Sequence, residues 1–174
     1  MTRIKTERLT LRPFVLADAA TVQRLAGNPN VSKTTRNIPY PYEDGMAESW
    51  IGAITAAIAR GAMLSLAVER NQDGSLLGSV GLISIKDSTA EIGYWIGEPY
   101  WGRGYCTEAV KAIIDHAFDE LNLITIIAEH LTAKPASGRV MIKAGMTHMK
   151  TVFMECRDSV RASVEIYQIE RPVP

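Results

Sequence analysis

Apolar residues follow two spacings along this chain of 174 residues, and the two spacings predict different elements. Apolar residues at every second position, or in short continuous runs, predict strands over residues 4–14, 64–68, 76–85, 92–96, 124–128, 147–156 and 162–170. Apolar residues three and four positions apart predict helices over residues 19–25, 43–60, 104–121 and 135–143. This order of elements predicts an α/β layer with a mixed sheet of six or seven strands. Because a helix joins the fourth and fifth strands, we expect one parallel pair among mostly antiparallel neighbours.

The region between the fourth strand and the following helix is the best candidate for a ligand site. The strand places Ile92, Tyr94 and Ile96 on one face, and a turn with Gly102 and Gly104 follows it. Glycines let the backbone approach a ligand closely, and the first turn of a helix presents unpaired N–H groups and the positive end of the helix dipole. The pattern therefore predicts an anion site that suits phosphate, with a plain structural turn as the alternative. No Lys-Ser or Lys-Thr pair follows the turn, and it is too short for the dinucleotide pattern G-x-G-x-x-G.

Residues 30–42 show no apolar period and interleave prolines and tyrosines with polar residues. We expect a loop here, entered where Gly27-Asn28-Pro29-Asn30 ends the first helix. A loop on a rigid domain can recognise an acceptor substrate, and it can equally be a solvated connector. The sequence leaves both interpretations open.

Composition and charge narrow the class of protein. The chain is 47% hydrophobic and 22% charged, which suits one globular domain over residues 1–174 with a sizeable core. Lys and Arg (19) balance Asp and Glu (19), so overall charge implies neither a nucleic-acid partner nor an anionic membrane. The sequence has no signal-peptide pattern and no apolar run of about 18 residues, so we expect a cytoplasmic protein that is not exported.

The two cysteines and three histidines show no spacing typical of a cofactor site. Cys106 and Cys156 form no C-x-x-C pair, so we expect free thiols in a reducing compartment. Because a helix N-terminus lowers a thiol pKa, an acyl-enzyme role for Cys106 is considered, but a small residue that fits a tight turn is the favoured interpretation. His116, His130 and His148 show no ligand spacing, so no metal site is expected.

Several motifs together resemble one enzyme family. The segment at residues 91–109, with Gly102-Arg103-Gly104 in its turn, resembles the acetyl-CoA pyrophosphate loop of the GNAT superfamily of N-acetyltransferases. Residues 6–13, 94–96, 100–102, 105–109 and 135–146 resemble its RimJ/RimL branch, whose members acetylate the N-terminal amine of ribosomal proteins. The resemblance covers nearly the whole chain. It implies the GNAT fold, in which helices cover both faces of a mostly antiparallel sheet and the parallel pair is splayed apart.

The resemblance also implies how acetyl-CoA, as co-substrate, is held between the splayed strands. The pantetheine arm would pair, like an added strand, with the backbone of Tyr94, Trp95 and Ile96. The pyrophosphate would lie on backbone N–H groups of the turn and the first helical turn. The residues concerned are Trp101, Gly102, Arg103, Gly104, Tyr105, Cys106 and Thr107. The Thr107 hydroxyl would be a further donor, whereas the Arg103 side chain either adds charge or is merely exposed.

Acetyl transfer from a thioester to an amine needs a neutral amine, a polarised carbonyl and an acceptable thiolate leaving group. A protein α-amine has a pKa of about 8, so a carboxylate acting through a water suffices as base. The family places such carboxylates where this chain has Glu91 and Glu155, each of which could also be a solvated strand residue. Ser137 matches the serine of the family's Asn-x-x-Ser motif and would hydrogen-bond the departing sulfur or the carbonyl oxygen, with a role at the helix start as the alternative. The tyrosine that many relatives use as acid falls at Met141.

One departure from the family pattern concerns the cofactor. Lys134 stands where the motif has asparagine, directly before Pro135, and Lys provides no capping acceptor, a loss of about 1 kcal/mol. The hypothesis is that Lys134 instead reaches a phosphate of CoA.

These observations predict an acetyl-CoA-dependent N-acetyltransferase that acts on a protein N-terminal α-amine by direct attack in a ternary complex. Acetylation of a small amine, such as an amino acid, polyamine or drug, is the alternative among enzymes. A non-catalytic CoA-binding regulatory module, supported mainly by Lys134, is the alternative of another class. An exposed edge strand at the C-terminal end is compatible with a homodimer.

Overall fold

The central feature of the fold is one mixed sheet. The computed structural model describes residues 2–156 and 161–172, and within these residues eight strands belong to this sheet. The strands are β1 (Ile4–Lys5), β2 (Leu9–Arg12), β3 (Leu64–Arg70), β4 (Leu76–Lys86), β5 (Thr89–Ile96), β6 (Thr125–Leu131), β7 (Thr147–Glu155) and β8 (Arg161–Glu170). Their order across the sheet is β1-β2-β3-β4-β5-β6-β8-β7. Of the seven neighbouring pairs, β5 and β6 are parallel and the other six are antiparallel.

The sheet has eight strands, where six or seven were expected, because the first predicted strand is divided. The Thr6 backbone N–H donates to the Leu9 carbonyl at 2.9 Å, which closes a tight turn. The chain therefore folds back, and Ile4 of β1 pairs with Leu11 of β2. β1 forms one edge of the sheet and β7 forms the other.

Five helices of the described residues cover the two faces of the sheet. They are α1 (Ala19–Ala26), α2 (Pro29–Thr34), α3 (Met46–Ala59), α4 (Tyr105–Asp119) and α5 (Pro135–Lys143). α1 and α3 pack on one face, whereas α4 and α5 pack on the other. This arrangement confirms the predicted α/β layer of mixed sheet with one parallel pair. None of these helices has both the length and the apolar composition needed to cross a bilayer.

α4 carries the apolar stripe that the sequence predicted. Val110, Ile113 and Ala117 are fully buried against the sheet. Leu121, which the pattern also included, is 38% exposed because the helix ends at Asp119. Burying a side chain the size of Val or Ile contributes about 1.5–3 kcal/mol. The stripe therefore holds α4, and with it the first helical turn, firmly against the sheet.

The parallel pair separates partway along its length. β5 and β6 pair from Thr89 and Thr125 to Ile92 and Ala128, and beyond this point each strand continues without pairing to the other. β5 stays paired with β4 as far as Ile96, and β6 stays paired with β8 as far as its last residue. Because each strand follows its own antiparallel partner, a gap opens in the middle of the sheet.

The helix α2 was not predicted, because the sequence at this position was interpreted as the beginning of a loop. Asn28 has an extended backbone and its side chain accepts a hydrogen bond from the Asn30 N–H at 2.8 Å. Pro29 occupies the first helical position, where its missing N–H costs nothing. The same Asn-Pro pair that ends α1 therefore starts α2. The loop itself is confined to the residues between α2 and α3.

Candidate active site

The turn between β5 and α4 presents a set of free backbone N–H groups. Gly102 and Gly104 adopt left-handed φ values of +72° and +80°, which favour glycine. The first hydrogen bond into α4 runs from the Glu108 N–H to the Gly104 carbonyl at 3.1 Å. Among the described residues, none accepts a hydrogen bond from the backbone N–H groups of residues 102–107. These donors and the positive end of α4 together form an anion-binding surface.

The Trp101 side chain and the N-terminal segment hold this turn in place. The Trp101 indole Nε1 donates to the Ile96 carbonyl at 2.6 Å. The Arg8 guanidinium donates from Nη1 to the Arg103 carbonyl at 2.9 Å and from Nε to the Glu108 carboxylate at 2.7 Å. The N-terminal motif at residues 6–13, which the sequence matched only by resemblance, therefore has a physical role in fixing the turn.

The carboxylate of Glu108 is the centre of this arrangement. It accepts hydrogen bonds from the Thr6 hydroxyl at 2.6 Å and from the Arg8 backbone N–H at 2.9 Å. Partial burial raises its pKa, but the bonds from Thr6 and Arg8 prevail and hold the pKa of Glu108 below its usual value. Glu108 is therefore ionised at neutral pH and ties the first turn of α4 to the start of the sheet.

A cavity of about 470 Å³ passes through the sheet at the gap between β5 and β6. Glu91 and Trp95 line it on the face that carries α1 and α3. Tyr94 and Ser137 line it on the face that carries α4 and α5. The cavity therefore connects the two faces at the point where the strands stop pairing.

On the α1/α3 face, one guanidinium lies between two carboxylates. Arg36, in the loop after α2, has its Nη2 atom 3.1 Å from Glu91 Oε1, and its Nη1 atom contacts Glu129 Oε2. Glu129 lies on the same face as Glu91 because it is two residues beyond Ile127, the partner of Glu91 across the parallel pair. Arg36 Nη1 also lies 3.5 Å from the Met154 sulfur. Two carboxylates and one guanidinium leave this end of the cavity with an excess of one negative charge.

This environment makes Glu91 a stronger base than an exposed glutamate. Burial raises the pKa of Glu91, the neighbouring charge of Glu129 raises it further, and Arg36 opposes both effects. The raised pKa suits a group that must take a proton from an amine near neutral pH.

On the α4/α5 face, the cavity meets the first turn of α5. The Tyr94 hydroxyl donates to the Ser137 carbonyl at 3.1 Å, and burial raises the pKa of Tyr94. His130 also lines the cavity, and its Nδ1 donates to the Leu131 carbonyl at 2.8 Å. Its Nε2 is buried and has no partner among the described residues. Because the carbonyl can only accept, the Nδ1 atom carries a proton in this contact.

The structure brings most of the predicted site residues together, but not all of them. Glu91, Tyr94, Trp95 and Ser137 line the cavity, residues 101–104 form the adjoining turn, and residues 105–107 begin α4. The predicted use of the Trp101 N–H for the pyrophosphate is corrected, because this N–H donates to the Glu98 carbonyl at 3.1 Å. Lys134, at the N-cap of α5, does not line the cavity and makes no side-chain cap hydrogen bond.

Glu155 lies apart from this group. It is exposed near the end of β7 and does not line the cavity. Its neighbour Met154 faces Arg36, so the alternation of a strand directs Glu155 to the opposite side.

Three residues of the cavity were missed from the sequence. Arg36 lies in a segment without periodicity, so its position could not be inferred. Glu129 and His130 interrupt a buried strand with ionisable side chains, and such an interruption was the available signal.

The structure bears on the considered acyl-enzyme role of Cys106. Burial raises the pKa of the Cys106 thiol to about 12, which keeps it protonated and favours the interpretation as a small residue in a tight turn. Among residues 2–156 and 161–172, no three His, Cys, Asp or Glu side chains are grouped so as to hold a metal ion.

A mixed sheet that separates at its parallel pair, next to a helix N-terminus with free N–H groups, is the architecture of an N-acetyltransferase. The chain belongs to the family described as "Acetyltransferase (GNAT) domain", which matches residues 8–147. The Bacillus licheniformis protein named "Uncharacterized N-acetyltransferase p20" is 32% identical over 131 residues, which cover 74% of this chain and 73% of that relative.

Solved structures share the fold over almost the full chain. An acetyltransferase of the GNAT family from Bacillus anthracis superposes with a TM-score of 0.84 at 26% identity, covering 97% of this chain and 98% of that one. RimL, a ribosomal alpha-N-protein acetyltransferase solved with coenzyme A, superposes with a TM-score of 0.86 at 15% identity, covering 97% and 98%. At 15% identity the likeness shows the fold.

Proposed function

We propose that this chain transfers the acetyl group of acetyl-CoA to a primary amine by direct attack in a ternary complex. The observation that carries the proposal is the cavity through the sheet, which joins Glu91 on one face to Ser137 on the other. A thioester placed in the gap would meet an amine from the α1/α3 side and release its sulfur towards α5.

Acetyl-CoA would be bound by the backbone of β5 and by the turn that follows. The edge of β5 beyond Ile92 is not paired with β6, so the backbone groups of Tyr94 and Ile96, which point away from β4, can bond to the amide groups of the pantetheine arm. The backbone groups of Trp95 point to β4, so they are not expected to take part. The free N–H groups of residues 102–107 support the pyrophosphate, and the Thr107 hydroxyl can add a bond.

Two further cofactor contacts rest on charge. Arg103 in the same turn and Lys134 at the start of α5 are cations that can reach the nucleotide part of CoA. Both contacts remain proposals from the sequence.

The reaction would use Glu91 as base and Ser137 at the leaving group. The amine nitrogen attacks the thioester carbonyl carbon, the carbon–sulfur bond breaks, and the amine proton passes to Glu91 directly or through a water. The Ser137 hydroxyl donates to the sulfur as negative charge develops there. With a tyrosine absent from position 141, this hydroxyl is the proposed partner of the departing thiolate.

For the acceptor, a protein N-terminal α-amine is the first candidate, as in the RimJ/RimL branch. Any carboxylate is a weaker base than an amine, so Glu91 removes a proton more readily from an α-amine of pKa about 8 than from a lysine of pKa about 10.4. A small amine is the second candidate, and the observation that favours it is a cavity partly enclosed by the loop that carries Arg36.

Several wider features belong to the same proposal. Residues 1–174 would act as one transferase domain in the cytoplasm, without a nucleic acid or membrane partner. A homodimer is supported by the edge strand β7, on which Met149 and Phe153 are 53% and 72% exposed.

The test is acetyl-CoA turnover with a panel of amines, measured by the release of free thiol. We expect Glu91→Gln to lower kcat by about 10²- to 10⁴-fold, the usual contribution of a general base. Glu155→Gln is the matched control, and it should keep kcat within about twofold because its carboxylate lies outside the cavity. Tight CoA binding with no thiol release for any amine would contradict the proposal and favour the regulatory module.

A further inference from the structure

We propose that the acceptor is a monoamine borne on an apolar, aromatic-sized group, with no carboxylate beside the amine. This inference rests on the proposed function and adds the chemical class of the acceptor. It comes from the part of the cavity on the α1/α3 face, called here the acceptor chamber and lined by Ile38, Tyr42, Trp50, Met63 and Trp95.

The acceptor chamber is apolar except at one end. Its walls pack against the core cluster beneath α1 and α3, and the side chains of that cluster are apolar. Most of the hydroxyls on this part of the cavity already have partners: the Ser65 and Ser79 Oγ atoms lie 3.3 Å apart and bond to each other, and the Thr34 and Thr35 hydroxyls donate to backbone carbonyls of α2. The Tyr42 hydroxyl and the exposed Asn37 amide also line the cavity. A group that fills this chamber therefore gains from burying apolar surface and finds few free polar partners.

The charged end of the chamber defines what the amine can carry. Glu91 and Glu129 are the carboxylates among the described residues that line the cavity, and both lie beside Arg36. The excess negative charge there attracts one ammonium group. A polyamine would place its other cations in the apolar part, where no described lining residue offers a carboxylate.

A free amino acid fits this end of the chamber less well than an amide. Its carboxylate would lie next to two glutamates whose arginine partner is already shared between them, and like charges repel. An amide or peptide carbonyl in the same position carries no charge. The chamber therefore selects an amine that has an amide, or no carbonyl group, beside it in place of a carboxylate.

The wild-type enzyme can be tested with six defined acceptors. Phenylalanine amide is the reference, and alanine amide, free phenylalanine and spermidine are compared with it by kcat/KM from thiol release. Burial of the ring should make phenylalanine amide at least about tenfold better than each of the other three. Phenethylamine and a tripeptide that begins with phenylalanine then distinguish two kinds of acceptor. A higher kcat/KM for phenethylamine identifies a small amine, and a higher kcat/KM for the tripeptide identifies a peptide N-terminus.

Alanine amide or spermidine equal to or better than phenylalanine amide would overturn the inference while leaving the acetyltransferase function intact. Free phenylalanine equal to phenylalanine amide would overturn the part that concerns the carboxylate. No thiol release with any of these amines would overturn the proposed function and this inference together.

A variant of the chamber wall gives an independent test. Met63→Phe adds volume inside the chamber, whereas Met149→Phe makes the same change on exposed β7. We expect Met63→Phe to lower kcat/KM for phenylalanine amide more than that for alanine amide, so that the ratio of the two values falls about tenfold and the preference is lost. Met149→Phe should keep the preference. Thermal unfolding verifies that Met63→Phe is folded. If the folded variant keeps the preference for phenylalanine amide, the assignment of the acceptor chamber is refuted. If the variant does not fold, the comparison of acceptors with the wild-type enzyme decides.

Discussion

Arg36 and Glu129 should shift the pH dependence of catalysis in opposite directions if Glu91 is the base. The cation beside Glu91 stabilises its ionised form, so Arg36→Gln should raise the pKa of Glu91. The anion of Glu129 has the reverse effect, so Glu129→Gln should lower it. A base works as the carboxylate, and activity falls when the pH drops below its pKa. The acid limb of the profile should therefore move to higher pH in Arg36→Gln and to lower pH in Glu129→Gln.

The size of the shift follows from the distance between the charges. Arg36 Nη2 lies 3.1 Å from Glu91 Oε1, and Coulomb's law at that separation gives about 1.3 kcal/mol in bulk water and about 5 kcal/mol at an effective dielectric constant of about 20. Both side chains are 28% exposed, so the lower part of this range applies. With about 1.4 kcal/mol for each pKa unit, Arg36→Gln should raise the pKa by about one to two units. Glu129 repels the ionised form of Glu91, so its removal should lower the pKa of Glu91.

The assay is the pH dependence of kcat, measured by thiol release at saturating acetyl-CoA and with one acceptor for all variants. Titration of the acceptor amine is then common to every profile and does not affect the comparison. Arg36→Lys is the control, because it keeps the positive charge without the two-pronged geometry of a guanidinium. Its acid limb should stay within about half a unit of the wild-type limb.

Shifts in the same direction for Arg36→Gln and Glu129→Gln would refute the assignment of Glu91 as base. They would indicate that both substitutions act through the loop that carries Arg36. An acid limb that moves equally in Arg36→Lys and Arg36→Gln would also refute this assignment. The positive charge at position 36 would then have no effect on the pH dependence.

Two predictions concern the turn before α4. Cys106→Ala should keep kcat within about twofold, because the N–H remains and no acyl-cysteine forms; a loss above about a hundredfold in the thiol-release assay would instead support covalent catalysis. Arg8→Gln removes bonds to the Arg103 carbonyl and the Glu108 carboxylate, so the KM for acetyl-CoA should rise about three- to tenfold with kcat unchanged. Exposed Arg3→Gln is its matched control, and equal KM values for the two variants would contradict the role of Arg8.

Much of the fold could be predicted because its elements have strong local signals. The α4 stripe and the turn at residues 102–104 both follow from apolar spacing and glycine positions. The helix α2 was missed because Asn28 and Pro29 signal both the end of one helix and the start of the next. An interpretation based on apolar spacing assigns such a pair to the end of one helix and misses the start of the next.

The candidate site was harder to predict than the fold. Resemblance to the family placed Glu91 and Ser137, which the cavity then brings together across the sheet. Arg36 could not be placed, because it is far from Glu91 in sequence and lies in a loop whose path depends on tertiary packing. Glu129 could have been found from the strand alternation, since Glu91 and Glu129 follow the same face of a parallel pair.

The separation of β5 from β6 has a consequence for how a cofactor binds. Each strand is anchored by its own antiparallel neighbour, so the slot between them does not depend on pairing between β5 and β6. An incoming amide-bearing chain does not have to break strand pairing, and little of its binding energy is lost to rearranging the protein. The sheet is therefore preorganised, and the association rate with CoA should be set by diffusion and by the anchoring of its phosphates rather than by a prior opening step.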